Sequence, residues 1–116
     1  MPVAQTIGTE RRLSQRVSLS TPIHIESLDP LVLFSGRCNT ADVSFHGCQF
    51  FVSRPFQHGV RLRLDIPDTP GTVTAHVVRA MPAAPAMNVR LWKVGVELDH
   101  RGNVWKVESP PADWVL

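Results

Sequence analysis

The sequence predicts an all-β domain, a six-stranded antiparallel β-barrel, and three observations carry that expectation. Apolar residues recur with a period of two over much of the chain, and turn-forming clusters interrupt them at short intervals. One long apolar segment also changes phase midway, as a strand does when a bulge bends it towards a closed sheet. A chain of 116 residues with 43% hydrophobic content makes about one domain, whose core needs neither metal nor disulfide.

The elements follow in order. Residues 1–9 read as a flexible N-terminal segment, 10–98 as the domain and 99–116 as a tail. Val17, Leu19, Ile23 and Ile25 alternate with Ser18, Ser20 and His24, the pattern of a half-buried strand. Leu31 to Ser44 and Gly47 to Ser53 supply two more strands joined by a tight connection. Val60, Leu62, Leu64 and Ile66 alternate with Arg61, Arg63 and Asp65, and Pro67-Asp68-Thr69-Pro70-Gly71 then turns the chain. A strand from Thr72 to Ala80 follows, with Val73, Ala75 and Val77 on one face. Met81 to Met87 reads as a loop, and Asn88 to Leu98 as the last strand. In that strand Val89 and Leu91 are odd-numbered while Val94, Val96 and Leu98 are even, so a bulge is expected near Trp92-Lys93. Beyond Asp99-His100-Arg101-Gly102, Asn103 is placed to cap a short helix through Val107, and Pro110-Pro111 ends it. The remaining tail carries Trp114, expected to pack back on the barrel.

Composition excludes several function classes. A net charge of +2 is well short of the excess of a general duplex-binding protein. The two cysteines, Cys38 and Cys48, have no metal-ligand spacing and read as buried or half-buried thiols. The five histidines are dispersed, with no HxH, HExxH or triad-like grouping, and no glycine loop for cradling phosphates is present. An enzyme is therefore not expected, nor a metal or cofactor. A single-strand or RNA binder would interleave basic residues with stacking aromatics, and that platform is missing, so no nucleic-acid polymer is expected as partner. No signal peptide or membrane-spanning segment is found, which places the chain in the cytoplasm with no membrane insertion.

Two strings carry the chemistry. In Arg11-Arg12-Leu13-Ser14-Gln15-Arg16, Arg12 and Arg16 are four apart and share a side on a helix or a strand. Like charges so placed repel by ~0.2–0.5 kcal/mol on an exposed helix, a cost that a bound anion relieves. A guanidinium also stacks on a purine and bonds the guanine O6/N7 edge in bidentate fashion. In Asp42-Val43-Ser44-Phe45-His46-Gly47, Asp42 and Ser44 point to one side of a strand about 7 Å apart. The carboxylate accepts from a guanine ring N–H and amino group, the hydroxyl donates to phosphate or carbonyl oxygen, and Gly47 permits positive φ and close backbone approach. Taken singly, each string has an ordinary reading: a solvated basic arm, and an Asx- or Ser-stabilised turn closed by glycine.

Taken together, an RxxxR near the N-terminus followed by [D/N]xSxxG at the end of a strand resembles the PilZ domain family. The likeness continues through the Val78-Arg79 strand end and Val94-Gly95-Val96-Glu97-Leu98, so that it spans roughly residues 10–98. Phe45-His46 departs from the small residues common inside the second motif, and Leu98 stands where an aromatic is usual. The resemblance implies a PilZ-like split barrel that binds cyclic di-GMP without catalysis and acts as an effector or adaptor in motility, polysaccharide or biofilm control. It also implies ligand-binding roles for Arg11, Arg12, Arg16, Asp42, Ser44 and Gly47, with an unknown protein partner. Arg11 is the position that bears on whether one ligand or a stacked pair is held, which leaves a monomer or a ligand-linked dimer open. The alternative is a PilZ-fold protein-interaction module that does not bind nucleotide.

Overall fold

The computed structural model describes residues 14–83 and 91–114. The expected flexible segment 1–9, Arg11, Arg12 and most of the 81–87 loop lie outside the described residues. Seven strands form one antiparallel sheet: β1 (Val17–Ser18), β2 (Pro22–Ser27), β3 (Ser35–Val43), β4 (Gly47–Val52), β5 (Arg61–Asp65), β6 (Val73–Pro82) and β7 (Trp92–Leu98). Six of them close as β3-β2-β5-β6-β7-β4, with β4 returning to β3, and β1 is an extra strand beside β3. The six-stranded antiparallel barrel expected from the sequence is therefore the observed fold.

The barrel interior is filled by the alternation that signalled it. Val60, Leu62, Leu64 and Ile66 are all buried, as are Ala75 and Val77 on β6, Val94, Val96 and Leu98 on β7, and Phe50 and Val52 on β4. Burying one such aliphatic or aromatic side chain contributes roughly 1.5–3 kcal/mol. Trp105 and Trp114 join the same core, so the expected return of the tail onto the barrel is observed.

Several local expectations are corrected. The strand predicted across Val17–Ile25 is interrupted: Val17 and Ser18 pair with Val43 and Asp42, and pairing with β3 resumes only at Pro22 opposite Asn39. Thr40 fills the gap, its hydroxyl donating to the Leu19 carbonyl and accepting from the Thr21 N–H at 2.9 Å. The strand predicted from Leu31 begins only at Ser35. Before it, Leu31 N donates to Asp29 Oδ1 at 2.9 Å, and the resulting turn leaves Leu31 and Leu33 92% and 85% exposed.

No bulge lies at Trp92-Lys93, where pairing with both β4 and β6 is continuous. The irregularities fall instead at Ala41 in β3 and Val78 in β6. Nor is there a helix at Asn103–Val107: the Asn103 side chain bonds both the N–H and the carbonyl of Val107, at 3.1 and 3.0 Å, and Lys106 has φ of 59°. A left-handed residue ends any right-handed helix at that point, and Asn103 closes a turn instead. Among the described residues no helix is long and apolar enough to cross a membrane.

Both cysteines are placed as expected, Cys48 buried opposite Val43 and Cys38 half-buried opposite Ile23 on β2. Both thiols are free, and burial pushes Cys38 up to about 12. Burial, reinforced by the charges of Cys38 and Asp42, also raises Cys48. Neither is poised as a thiolate nucleophile at neutral pH.

At one end of the barrel, Asp99 collects a network. Arg61 Nη2 and Thr74 Oγ1 each donate to Oδ2 at 2.6 Å, and His76 Nδ1 stands 3.3 Å from Oδ1. Burial raises this carboxyl, but the hydrogen bonds from Thr74, Arg61 and His76, with the Arg61 charge, outweigh it and hold the group below its ordinary value. A depressed folded value contributes stability that is present above the unfolded value near 3.9 and lost as pH falls through the folded one. Asp99→Asn is accordingly expected to lower the melting temperature by roughly 4 °C at neutral pH. The gap to the parent should narrow as the pH falls below the ordinary carboxylate value and through the depressed folded one, in melts recorded across an acid series. A gap that persists unchanged there would assign the effect to packing.

Candidate ligand-binding site

The site is a row of outward-facing residues that runs across four strands. Arg79 on β6 lies opposite Gly95 on β7, Gly95 opposite Gln49 on β4, and Gln49 opposite Asp42 on β3. Their chain neighbours Val43, Cys48 and Val96 turn inward to the core, so alternation sends this row to the outer face. The two bulges bring the ends of the row into line. The extra residue at Ala41 lets Thr40 and Val43 both face the core while Asp42 faces out, and the extra residue at Val78 sets Arg79 opposite Gly95.

The Ser44-Phe45-His46-Gly47 turn bounds one side. Ser44 N donates to Gly47 O at 2.8 Å, and the Ser44 hydroxyl accepts from the N–H groups of Gly47 and His46 at 3.1 and 3.3 Å. Ser44 thus carries the turn-stabilising role, and its hydroxyl is largely committed to it. Trp105 Nε1 donates to the Ser44 carbonyl at 2.9 Å from behind. Gly47 is required by close approach and not by positive φ, which is found at Gly59 and Gly71: a Cβ at Gly47 would lie 2.0 Å from the Val96 carbonyl oxygen.

The base of the arginine arm packs beside this turn. Ser14 is buried, its hydroxyl 3.1 Å from His46 Nδ1. The Gln15 N–H donates to Asp113 Oδ2 at 2.8 Å, and Trp114 Nε1 donates to the Gln15 carbonyl at 2.7 Å. His46 and the tail therefore grip the two residues immediately before Arg16 and fix where that arginine leaves the barrel.

The result is a cleft of about 70 Å³ that brings together Arg16, Asp42, Ser44 and Gly47. Arg11 and Arg12 lie outside the described residues. The same cleft includes Gln49, Arg79 and Glu97, which spacing along the sequence did not single out as site residues. Two buried polar atoms in its wall have no hydrogen-bond partner among the described residues: Asp42 Oδ1, an acceptor, and Arg79 Nε, a donor. Unsatisfied buried groups are costly, and a ligand presenting a donor and an acceptor would relieve both. The first signal for the missed residues was weak but present: Gln49 is a polar side chain inside the otherwise apolar run Cys48 to Val52.

A family model described as PilZ domain matches residues 10–103. The chain belongs to the PilZ domain family. No curated protein matches it. PilZ domains are in general non-catalytic receptor or adaptor domains that bind cyclic di-GMP, and in this PilZ domain Arg16, the last residue of the first string, lines the same cleft as Asp42, Ser44 and Gly47 of the second.

Proposed function

We propose that this PilZ domain binds cyclic di-GMP in the Arg16–Asp42 cleft and acts without catalysis, as a ligand-controlled adaptor in the cytoplasm of a bacterial cell. The observation that supports it is the convergence of Arg16 with a carboxylate whose Oδ1 is buried and unpartnered among the described residues. A guanine offers N1–H and a 2-amino group side by side, the two donors that such a carboxylate accepts. Arg16, with Arg12 from the arm, supplies guanidiniums for the phosphates and the guanine edges. The Ser44–Gly47 turn forms the opposite wall and sets the position of Asp42. A cleft of about 70 Å³ takes only part of a dinucleotide, so the arm completes the enclosure, and Arg11 bears on whether one ligand or a stacked pair is held. The output is a change in the surface offered to a protein partner, in control of motility, polysaccharide or biofilm formation.

Calorimetric titration tests this reading with cyclic di-GMP, cyclic di-AMP and a short single-stranded RNA. Saturable binding of cyclic di-GMP alone is expected, weakened at least about tenfold by Arg16→Ala, the loss of one charge-assisted contact. A folded parent protein that takes up no cyclic di-GMP would overturn the receptor reading in favour of a purely protein-interacting module.

A further inference from the structure

We propose that Arg79 and Gln49, which lie outside both motifs, form with Asp42 a base-reading row that selects guanine over other purines; this rests on the cyclic di-GMP reading above. Three observations carry it.

The first is the commitment of the Asp42 carboxylate. Gln49 is 7% exposed, and its Nε2 donates to Asp42 Oδ2 at 3.0 Å. That bond occupies one carboxylate oxygen and holds the group in a single orientation. Oδ1 is left as the acceptor with no partner among the described residues. A buried amide beside a carboxylate thus works as a positioning residue, because it decides which lone pairs a ligand meets.

The second is the approach of Arg79 to the same spot. An added Cβ at Gly95 would meet Arg79 Cγ and Nε at 3.3 Å and Gln49 Cγ at 3.7 Å, so both side chains lean over the bare glycine from its two sides. Gly95 is the gap in the row that lets them converge. The third is that Arg79 forms no ion pair among the described residues, although Glu97 also lines the cleft. Its Nε is buried without an acceptor. A planar guanidinium with an unused donor is the group best suited to the O6/N7 edge of a guanine.

One acceptor and one donor, held on a common row, match the two edges of guanine in only one sense. The N1–H and 2-amino group face Asp42, and O6 or N7 faces Arg79. Adenine inverts the pattern at the other positions, with N1 as acceptor towards the carboxylate and the 6-amino donor where O6 stood, so the Asp42 contact becomes repulsive and only N7 is left for the guanidinium. Hypoxanthine keeps O6 and N1–H but lacks the 2-amino group. The three bases therefore separate the two halves of the reader.

The test measures dissociation constants for cyclic di-GMP, cyclic di-IMP and cyclic di-AMP by calorimetry. It uses the parent chain and the Gln49→Leu, Gln49→Met, Arg79→Ala and Arg79→Lys variants, each shown to be folded by a thermal melt. The parent is expected to prefer cyclic di-GMP over cyclic di-IMP about tenfold, one good contact. Either Gln49 variant should shrink that ratio several-fold. Arg79→Ala should weaken cyclic di-GMP and cyclic di-IMP alike by about tenfold and narrow their advantage over cyclic di-AMP, and lysine, which keeps the charge without the planar fork, should not restore it.

Unchanged ratios in all four variants, with tight cyclic di-GMP binding by the parent, would overturn this proposal and leave the receptor reading standing. A uniform loss for all three nucleotides in Arg79→Ala that lysine restores would assign the guanidinium to phosphate and overturn it as well. Absence of cyclic di-GMP binding by the folded parent would remove both readings.

Discussion

Gly47→Ala is expected to destabilise the fold by at least about 3 kcal/mol, at the upper end of overpacking costs, lowering the melting temperature by roughly 10 °C or more. The added Cβ would sit 2.0 Å from the Val96 carbonyl oxygen and 3.2 Å from Glu97 Cα. These are backbone atoms of the neighbouring strand β7, where Gly47 pairs with Glu97 and Cys48 with Val96. No side-chain rotation relieves the overlap, so β4 must separate from β7 and the ladder between them must loosen. Gly95→Ala is the contrasting case. Its Cβ meets only Arg79 and Gln49 side-chain atoms, at 3.3 Å and beyond, and the long Arg79 chain can move aside. Its cost in stability should stay within about 1 kcal/mol. Calorimetric melts of the two variants beside the parent decide the matter, and a Gly47→Ala protein that melts with the parent would refute the close approach. Loss of ligand binding on replacing Gly47 reports loss of the β4–β7 spacing, whereas loss on replacing Arg16 or Asp42 in a folded protein reports a contact.

Which parts of this structure could be read in the sequence follows from how far each depends on cross-strand register. The strand Val60–Ile66 was legible because four consecutive same-face residues are large and aliphatic, and all four are buried. Within the second motif, Asp42 and Ser44 are two residues apart on one strand, so their shared side needs no knowledge of any partner. Arg16 was legible as a motif residue, although its delivery to the cleft depends on Asp113, Trp114 and His46 holding the two residues before it. Gln49 and Arg79 were harder to read: Gln49 lies opposite Asp42 through the register of the Ser44–Gly47 turn, and Arg79 joins that row only through a pairing displaced by one residue at Val78.

The displacements at Ala41 and Val78 fall where the sequence is uninformative about phase. Around Ala41 the run Cys38-Asn39-Thr40-Ala41 holds small or polar residues with no clear inward face, and the buried Thr40 is satisfied by backbone groups of Leu19 and Thr21. At Val78 three apolar residues in four, Ala75, Val77 and Val78, give either phase some support. The apparent phase slip at Leu91 misled for the opposite reason: Leu91 is exposed, so it never had to share a face with Val94. Leu31 and Leu33 likewise read as strand residues by alternation, yet the Asp29 turn holds them in solvent.

Trp105→Ala should cost at least about 3 kcal/mol, the usual loss for a buried tryptophan, and should do so by undoing the wall of the candidate cleft. Trp105 is 6% exposed within the core cluster, and its Nε1 donates to the Ser44 carbonyl at 2.9 Å. Removal of the ring opens a cavity beneath the turn and also leaves that buried carbonyl without its partner, a further cost of about 1–3 kcal/mol if water cannot reach it. Trp105→Phe separates the two contributions. It keeps most of the apolar contact and removes the donor, so about 1–2 kcal/mol is expected from the orphaned carbonyl and the smaller ring. Urea unfolding at constant slope distinguishes these losses from a change in the unfolded state. The Ser44 carbonyl belongs to the turn that sets Asp42, and Gly102 N donates to the Phe45 carbonyl at 2.9 Å in the same turn. Residues after β7 thus brace the second motif from behind. In Trp105→Phe the protein remains folded while the turn loosens, so affinity for cyclic di-GMP should fall several-fold with no ligand contact removed. If affinity is unchanged while stability drops, the turn is held by its own Ser44–Gly47 hydrogen bonds and the tail contributes only to the core.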